Sequence, residues 1–166
     1  MSGSTVLKAT ARIERLFDSA RYAEVIDLCS DIVSSFPEEW KFYYHRAQAK
    51  LLLRRRSEAI EDLTLALRFQ DAEPALYYFR GSWSVDAGNY LDGSNDLIEA
   101  INAEAKLGTS YYVESARFVR AVALLHLGEF EKVKEECVHV RPDFKSFVKG
   151  RLWSASEVLD RATRRC

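Results

Sequence analysis

Tyr77-Tyr78-Phe79-Arg80-Gly81, followed by Ala87-Gly88-Asn89-Tyr90 and then by Leu97 and Ala100-Ile101, is the stretch that decides the fold of this 166-residue chain. Subtracting 34 from each number lands on Tyr43-Tyr44-His45-Arg46-Ala47, on Leu53-Arg54-Arg55-Arg56, and on Leu63 and Ala66-Leu67. Subtracting 34 again reaches Ile13, Tyr22, Cys29 and Ile32-Val33. Adding 40 instead reaches Gly128-Glu129-Phe130 and Cys137, so a fourth copy follows after six extra residues near Ala105-Lys106-Leu107-Gly108-Thr109. Self-similarity at one period of this size is the mark of a repeat architecture.

The residue types explain the period. Ala47, Gly81 and Ala121 share one phase, where a small side chain lets two helices approach closely. Gly88 and Gly128 stand where a first helix should end on a residue free to adopt positive φ. Tyr22, Tyr90 and Phe130 each open a second helix. The spacing predicts first helices near 6–19, 39–53, 74–87 and 111–127, and second helices near 22–35, 56–70, 90–104 and 130–140. A lone hairpin cannot bury both of its faces, so successive hairpins must stack.

This pattern resembles the tetratricopeptide repeat (TPR), a 34-residue helix–turn–helix unit. The best copy carries Tyr77, Arg80-Gly81, Gly88-Asn89-Tyr90, Gly93, Leu97 and Ala100; the copy before it carries Tyr43, Ala47, Ala59-Ile60, Leu63 and Ala66-Leu67. The chain departs from the family where Arg46 and Arg80 replace the usual Leu, where Val25 and Val133 replace an Ala, and where only Pro37 stands at the expected terminal Pro. The resemblance implies an all-α fold: one domain over 1–166, a right-handed α-solenoid of about four repeats at 6–38, 39–73, 74–110 and 111–141. The remainder, 142–166, reads as a C-terminal cap. Phe144, Phe147, Val148, Leu152 and Trp153 form its apolar cluster, and Ser154-Ala155-Ser156-Glu157 reads as a capping box that starts a last helix.

Composition excludes several function classes. With 24 Lys plus Arg against 25 Asp plus Glu, the net charge of −1 exerts no global pull on nucleic acid or anionic membrane. No apolar run approaches the roughly 18 residues a membrane span needs, and the N-terminal Met1-Ser2-Gly3-Ser4-Thr5 leads into a charged amphipathic stretch rather than a secretory core. A cytoplasmic, reduced protein is expected. His126, Cys137 and His139 lack the spacing of a zinc site, and no phosphate loop, nucleophile elbow or dinucleotide fingerprint is present. Cys29 and Cys137 share a phase with Leu63 and Leu97 and so read as core residues, while Cys166 reads as a solvated thiol. No catalytic residue, no cofactor and no metal is expected.

The resemblance also implies a concave face lined by the first helices. Position by position it would present Thr10, Glu14, Phe17 and Asp18; Lys41, Tyr44, His45, Gln48 and Leu52; Ala75, Tyr78, Phe79, Ser82, Val85 and Asp86; and Ser115, Phe118, Val119, Val122 and His126. Aromatic groove residues suit protein recognition, because they bury much area at small entropy cost. The partner-binding set expected here is Tyr44, His45, Gln48, Tyr78, Phe79, Ser82, Asp86, Phe118 and Val122, with Arg54, Arg55 and Arg56 as a secondary electrostatic site. Family members that clamp a chaperone's C-terminal carboxylate carry Lys and Asn where this chain has Thr10, Glu14, Tyr44 and Gln48, so that ligand is not expected. The expected function is a non-catalytic module that binds a protein partner, as an adaptor or assembly factor. One alternative is an immunity protein inhibiting a cognate bacterial toxin, since Phe147-Val148-Lys149-Gly150-Arg151-Leu152-Trp153 resembles the tail of such proteins. An RNA-binding repeat protein is the second alternative, and the oligomeric state is left open.

Overall fold

The computed structural model describes residues 3–165, and it is dominated by helices. In chain order these are α1 (Gly3–Asp18), α2 (Tyr22–Ser35), α3 (Trp40–Leu52), α4 (Arg56–Leu67), α5 (Pro74–Ala87), α6 (Tyr90–Leu107), α7 (Val113–Leu127) and α8 (Phe130–Cys137). A short hairpin, β1 (Lys145–Val148) and β2 (Arg151–Ser154), precedes α9 (Ala155–Thr163). The elements gather into two compact units, one running to Asp71 and the other starting at Ala72, where the sequence reading had one domain; the boundary falls beside the junction of the second and third repeats. The first unit buries Ile13, Leu16, Val25, Cys29, Phe42, Ala47 and Leu63; the second buries Leu97, Phe118, Val119, Val122, Val133, Val148, Trp153 and Val158.

The two central hairpins cross where their side chains are smallest. At the α5–α6 crossing a Cβ on Gly81 would sit 2.9 Å from the Leu97 Cγ, and one on Gly93 would sit 2.6 Å from the Val85 Cγ2 and 2.8 Å from the Gly81 carbonyl oxygen. The equivalent pair in the second repeat is Ala47 with Ala59, both fully buried. Backbone contact at the crossing therefore demands Gly or Ala, because extra methyl groups in a close-packed interface force the helices apart.

All four first helices end on the same left-handed turn. Gly88 (φ 94°) and Gly128 (φ 79°) take it as the sequence predicts, and Ala20 (φ 55°) and Arg54 (φ 62°) take it without a glycine. The next amide closes the turn in each case, from Arg21 to the Leu16 oxygen, Arg55 to Lys50, Asn89 to Ser84 and Glu129 to Leu124. This satisfies helix-end carbonyls that would otherwise lack donors.

The arginines that break the family pattern are paired inside their hairpins. Arg46 forks onto Asp62 (Nε–Oδ2 2.9 Å, Nη2–Oδ1 2.7 Å), and Lys50 adds a third contact to the same carboxylate at 2.7 Å. Arg80 forks onto Asp96 at 2.7 and 2.6 Å. In the last repeat Glu136 accepts from Arg120 and from Arg117, the latter at 2.9 Å. Arg46, Arg80 and Arg120 each stand 16 residues before their acid, so one interaction recurs in three successive hairpins. A planar guanidinium holding a carboxylate with two bonds fixes how far one helix rotates against the other.

The lengthened connection before α7 is organised by one buried carboxylate. Glu104 accepts the amides of Tyr111 and Tyr112 at 2.8 Å each and of Val113 at 3.1 Å. It thereby supplies the acceptors that the first turn of α7 lacks, with its charge at the favourable helix end.

The C-terminal segment, expected as a cap whose last helix starts at Ser154, holds a short β-hairpin ahead of that helix. Residues 145–154 pair as an antiparallel ladder, Lys145 with Ser154 through Val148 with Arg151. Lys149 and Gly150 turn the corner with φ of 53° and 72°, the pair of positive angles that a two-residue hairpin turn requires. The last helix starts as predicted: the Ser154 hydroxyl accepts the Glu157 amide at 3.2 Å. Cys166 lies outside the described residues.

Candidate protein-binding face

Unit by unit, the structure sorts the expected partner-binding residues into open and occupied. In the first unit, Tyr44 and Gln48 are half-buried neighbours on α3, the Gln48 Nε2 donating to the Tyr44 hydroxyl at 3.1 Å. His45 lies between the Tyr44 ring, 5.7 Å away, and Phe17 of α1 at 6.5 Å. Its Nδ1 is buried and has no hydrogen-bond partner among the described residues. Burial holds the imidazole below its ordinary pKa, against upward pulls from Gln48 and Glu14. The arginine run is solvent-exposed, with Arg55 held by Glu58 at 2.7 and 2.5 Å.

In the second unit the half-buried rings of Tyr78 and Phe79 on α5 meet Tyr112, just before α7. Tyr78 stacks on Tyr112 at 4.6 Å with an interplanar angle of 23°, and Phe79 meets both edge-on at 5.2 and 5.9 Å. Trp83 continues the row at 5.7 Å from Phe79. Offset and edge-to-face arrangements of this kind match the quadrupoles of the rings and hold them rigid. Ser82, on the same helix, has a buried hydroxyl without a hydrogen-bond partner among the described residues. Tyr112 was absent from the sequence-derived set. It lies in the lengthened connection, where the 34-residue register is lost, and the exposed Tyr111 beside it was missed for the same reason.

Phe118 and Val122 correct the expectation. Both have zero exposure and cannot meet a partner. The C-terminal segment covers the α7 positions expected to face a ligand: Phe144 packs on Phe118 at 5.1 Å, and Trp153 lies edge-on to His126 at 6.1 Å. Asp86 is engaged as well, its Oδ1 accepting the Lys149 amide at 2.8 Å, while the Lys149 ammonium donates to the Tyr90 hydroxyl at 2.8 Å. The sequence places these residues at inward-facing phases, but phase cannot show that the C-terminal segment, far downstream in the chain, fills the space.

Among the described residues no group of three or more His, Cys, Asp and Glu side chains is arranged to hold a metal ion. Burial pushes the Cys29 thiol up to about 12 and that of Cys137 to about 11, so both stay protonated and pack as apolar groups. No described helix is long and apolar enough to cross a membrane.

No protein-family model matches the chain, and no curated protein matches it. Solved structures do. A crystal structure of MamA superposes with a TM-score of 0.75 at 13% identity, covering 99% of this chain and 89% of that one. The TPR2B domain of yeast Sti1, in its pHsp70 complex, matches at 0.65 and 17% identity over 70% and 93% of the two chains. The translocator chaperone SycD of the Yersinia enterocolitica type III secretion system matches at 0.65 and 14% over 82% and 89%. The chain thus has the fold of the TPR proteins, all-α and built from their helical hairpins.

Proposed function

We propose that this protein is a non-catalytic binding module, an adaptor or assembly factor, that holds a segment of a protein partner on first-helix faces, that of α5 in the second unit foremost. The aromatic row of Tyr78, Phe79 and Tyr112 carries the reading. Rings fixed by one another lose little freedom when a ligand covers them, so their burial is returned as affinity. Solved proteins of like fold carry ligands, Sti1 with pHsp70 and SycD with a YopD peptide, which supports a peptide-like ligand here. Thr10, Glu14, Tyr44 and Gln48 stand where the chaperone-binding members carry Lys and Asn, which disfavours a C-terminal chaperone carboxylate as the ligand.

Affinity capture from native extract, read by mass spectrometry, tests this with wild type and a folded Tyr44→Ala, Tyr78→Ala variant. One protein enriched stoichiometrically by wild type and lost by the variant is the expected result, and its identity separates an adaptor from a toxin inhibitor. A partner retained by the variant would move binding off these helices. Recovery of RNA alone, sensitive to Arg54, Arg55 and Arg56, would replace the proposal.

A further inference from the structure

The hairpin of β1 and β2 has one face against the helices and one in solvent. Val148 and Trp153 point inward and are buried, whereas Phe147 and Leu152, paired across the strands, remain 70% and 49% exposed. The Ala155 amide donates to the Phe144 oxygen, and hydrogen-bonded and non-bonded pairs alternate along an antiparallel ladder. It follows that Phe147 and Leu152 form a non-bonded pair, whose amides and carbonyls point away from the partner strand. Among the described residues these groups meet no acceptor or donor elsewhere in the chain. Both edges of the sheet are thus open over an exposed apolar pair, the arrangement that invites another strand.

The charge says which strand. Residues 144–156 contain Lys145, Lys149 and Arg151 and no carboxylate. Arg151 is compensated by Glu157. Lys149 holds the Asp86 carboxylate through its amide while its ammonium donates to a phenol, and Lys145 is exposed without an ion-pair partner among the described residues. A second copy of this hairpin would bring these cations together, which disfavours self-pairing. An acidic strand would neutralise them.

We infer that the open edge of this hairpin is a docking site for an extended segment of a partner protein in which carboxylates alternate with apolar residues. The segment adds a third strand, its backbone pairing with Phe147 or Leu152, its apolar side chains covering that pair and its carboxylates meeting Lys145 and Lys149. The site is separate from the aromatic row on α5 and stands or falls without it.

The test uses the full chain and three fluorescein-labelled octapeptides: one alternating glutamate with valine, one alternating lysine with valine, and the glutamate–valine peptide N-methylated at alternate residues. Binding is followed by fluorescence anisotropy and by amide hydrogen exchange. Only the unmodified glutamate–valine peptide is expected to bind, with slowed exchange at the Phe147 or Leu152 amide. A Phe147→Ser, Leu152→Ser variant should weaken it about tenfold or more while keeping the wild-type circular dichroism and melting curve. Tyr78→Ala should leave it unchanged, which separates this site from the α5 face. Equal binding of the lysine or N-methylated peptide, binding indifferent to Phe147 and Leu152, or no binding at about 1 mM would each overturn the assignment. So would a single-stranded oligonucleotide that binds with the same dependence on Phe147 and Leu152.

Discussion

Asp62→Ala should unfold the first unit at a much lower denaturant concentration than wild type. Asp62 is 2% exposed and is the shared acceptor of Arg46 and Lys50, whose side chains are themselves only 13% and 11% exposed. Removing the carboxylate leaves two largely buried cations facing each other. Breaking a buried pair from one side costs about 3–5 kcal/mol, because the remaining charge is uncompensated. The loss is a large share of the total for a domain stable by about 5–15 kcal/mol. With a urea dependence of about 1–3 kcal/mol per molar, the midpoint should fall by about 1–5 M. The assay is urea unfolding followed by far-UV circular dichroism, with native-state amide exchange to locate the effect in α3 and α4 while α6 and α7 keep their protection. The triple variant Arg46→Leu, Lys50→Met, Asp62→Leu should recover most of the loss, since an apolar replacement of similar volume is often as stable as the ion pair. A single variant whose midpoint falls by less than about 0.3 M, or a triple variant worse than the single, would refute the argument that the charges depend on one another.

Ala20→Gly and Arg54→Gly should each stabilise by about 1 kcal/mol, because a side chain in the left-handed region costs roughly that much and glycine avoids it; thermal unfolding of the two variants checks the sign. Glu104→Ala removes the acceptor of three amides at the start of α7, and calorimetry should record a loss of about 2–3 kcal/mol with faster amide exchange at Tyr111 and Tyr112. His45 has a folded pKa below its ordinary 6.5 because of burial, so the unfolded chain takes up its proton first as pH falls. Its contribution is complete above pH 6.5 and is lost progressively below it; a His45→Gln variant should show a flatter decline of stability with acidification, and an unchanged slope would argue against the buried imidazole as its source.

The amino-acid sequence by itself determined the repeat. A period of 34 with small residues at Ala47 and Gly81, and with Gly88 and Gly128 closing their helices, is legible because the contacts it encodes are local: each hairpin packs on residues about 16 apart in the chain. The same locality left a signal for the ion pairs, since Arg46, Arg80 and Arg120 each precede an acid by 16 residues. The candidate site was legible only in part. Tyr78, Phe79 and Ser82 stand on the predicted helix face, but Tyr112 joins them from an insertion that breaks the period. Two left-handed turns were hidden at Ala20 and Arg54, where closure of the hairpin compels a conformation that the residues disfavour. Tertiary structure alone decided which first-helix positions remain open. Phe118 and Val122 share the phases of the half-buried Tyr78 and Ser82, yet Phe144 and the hairpin after it close over α7. Helical phase reports which way a side chain points from its own axis; it carries no information about a segment that arrives from a distant part of the chain to bury it.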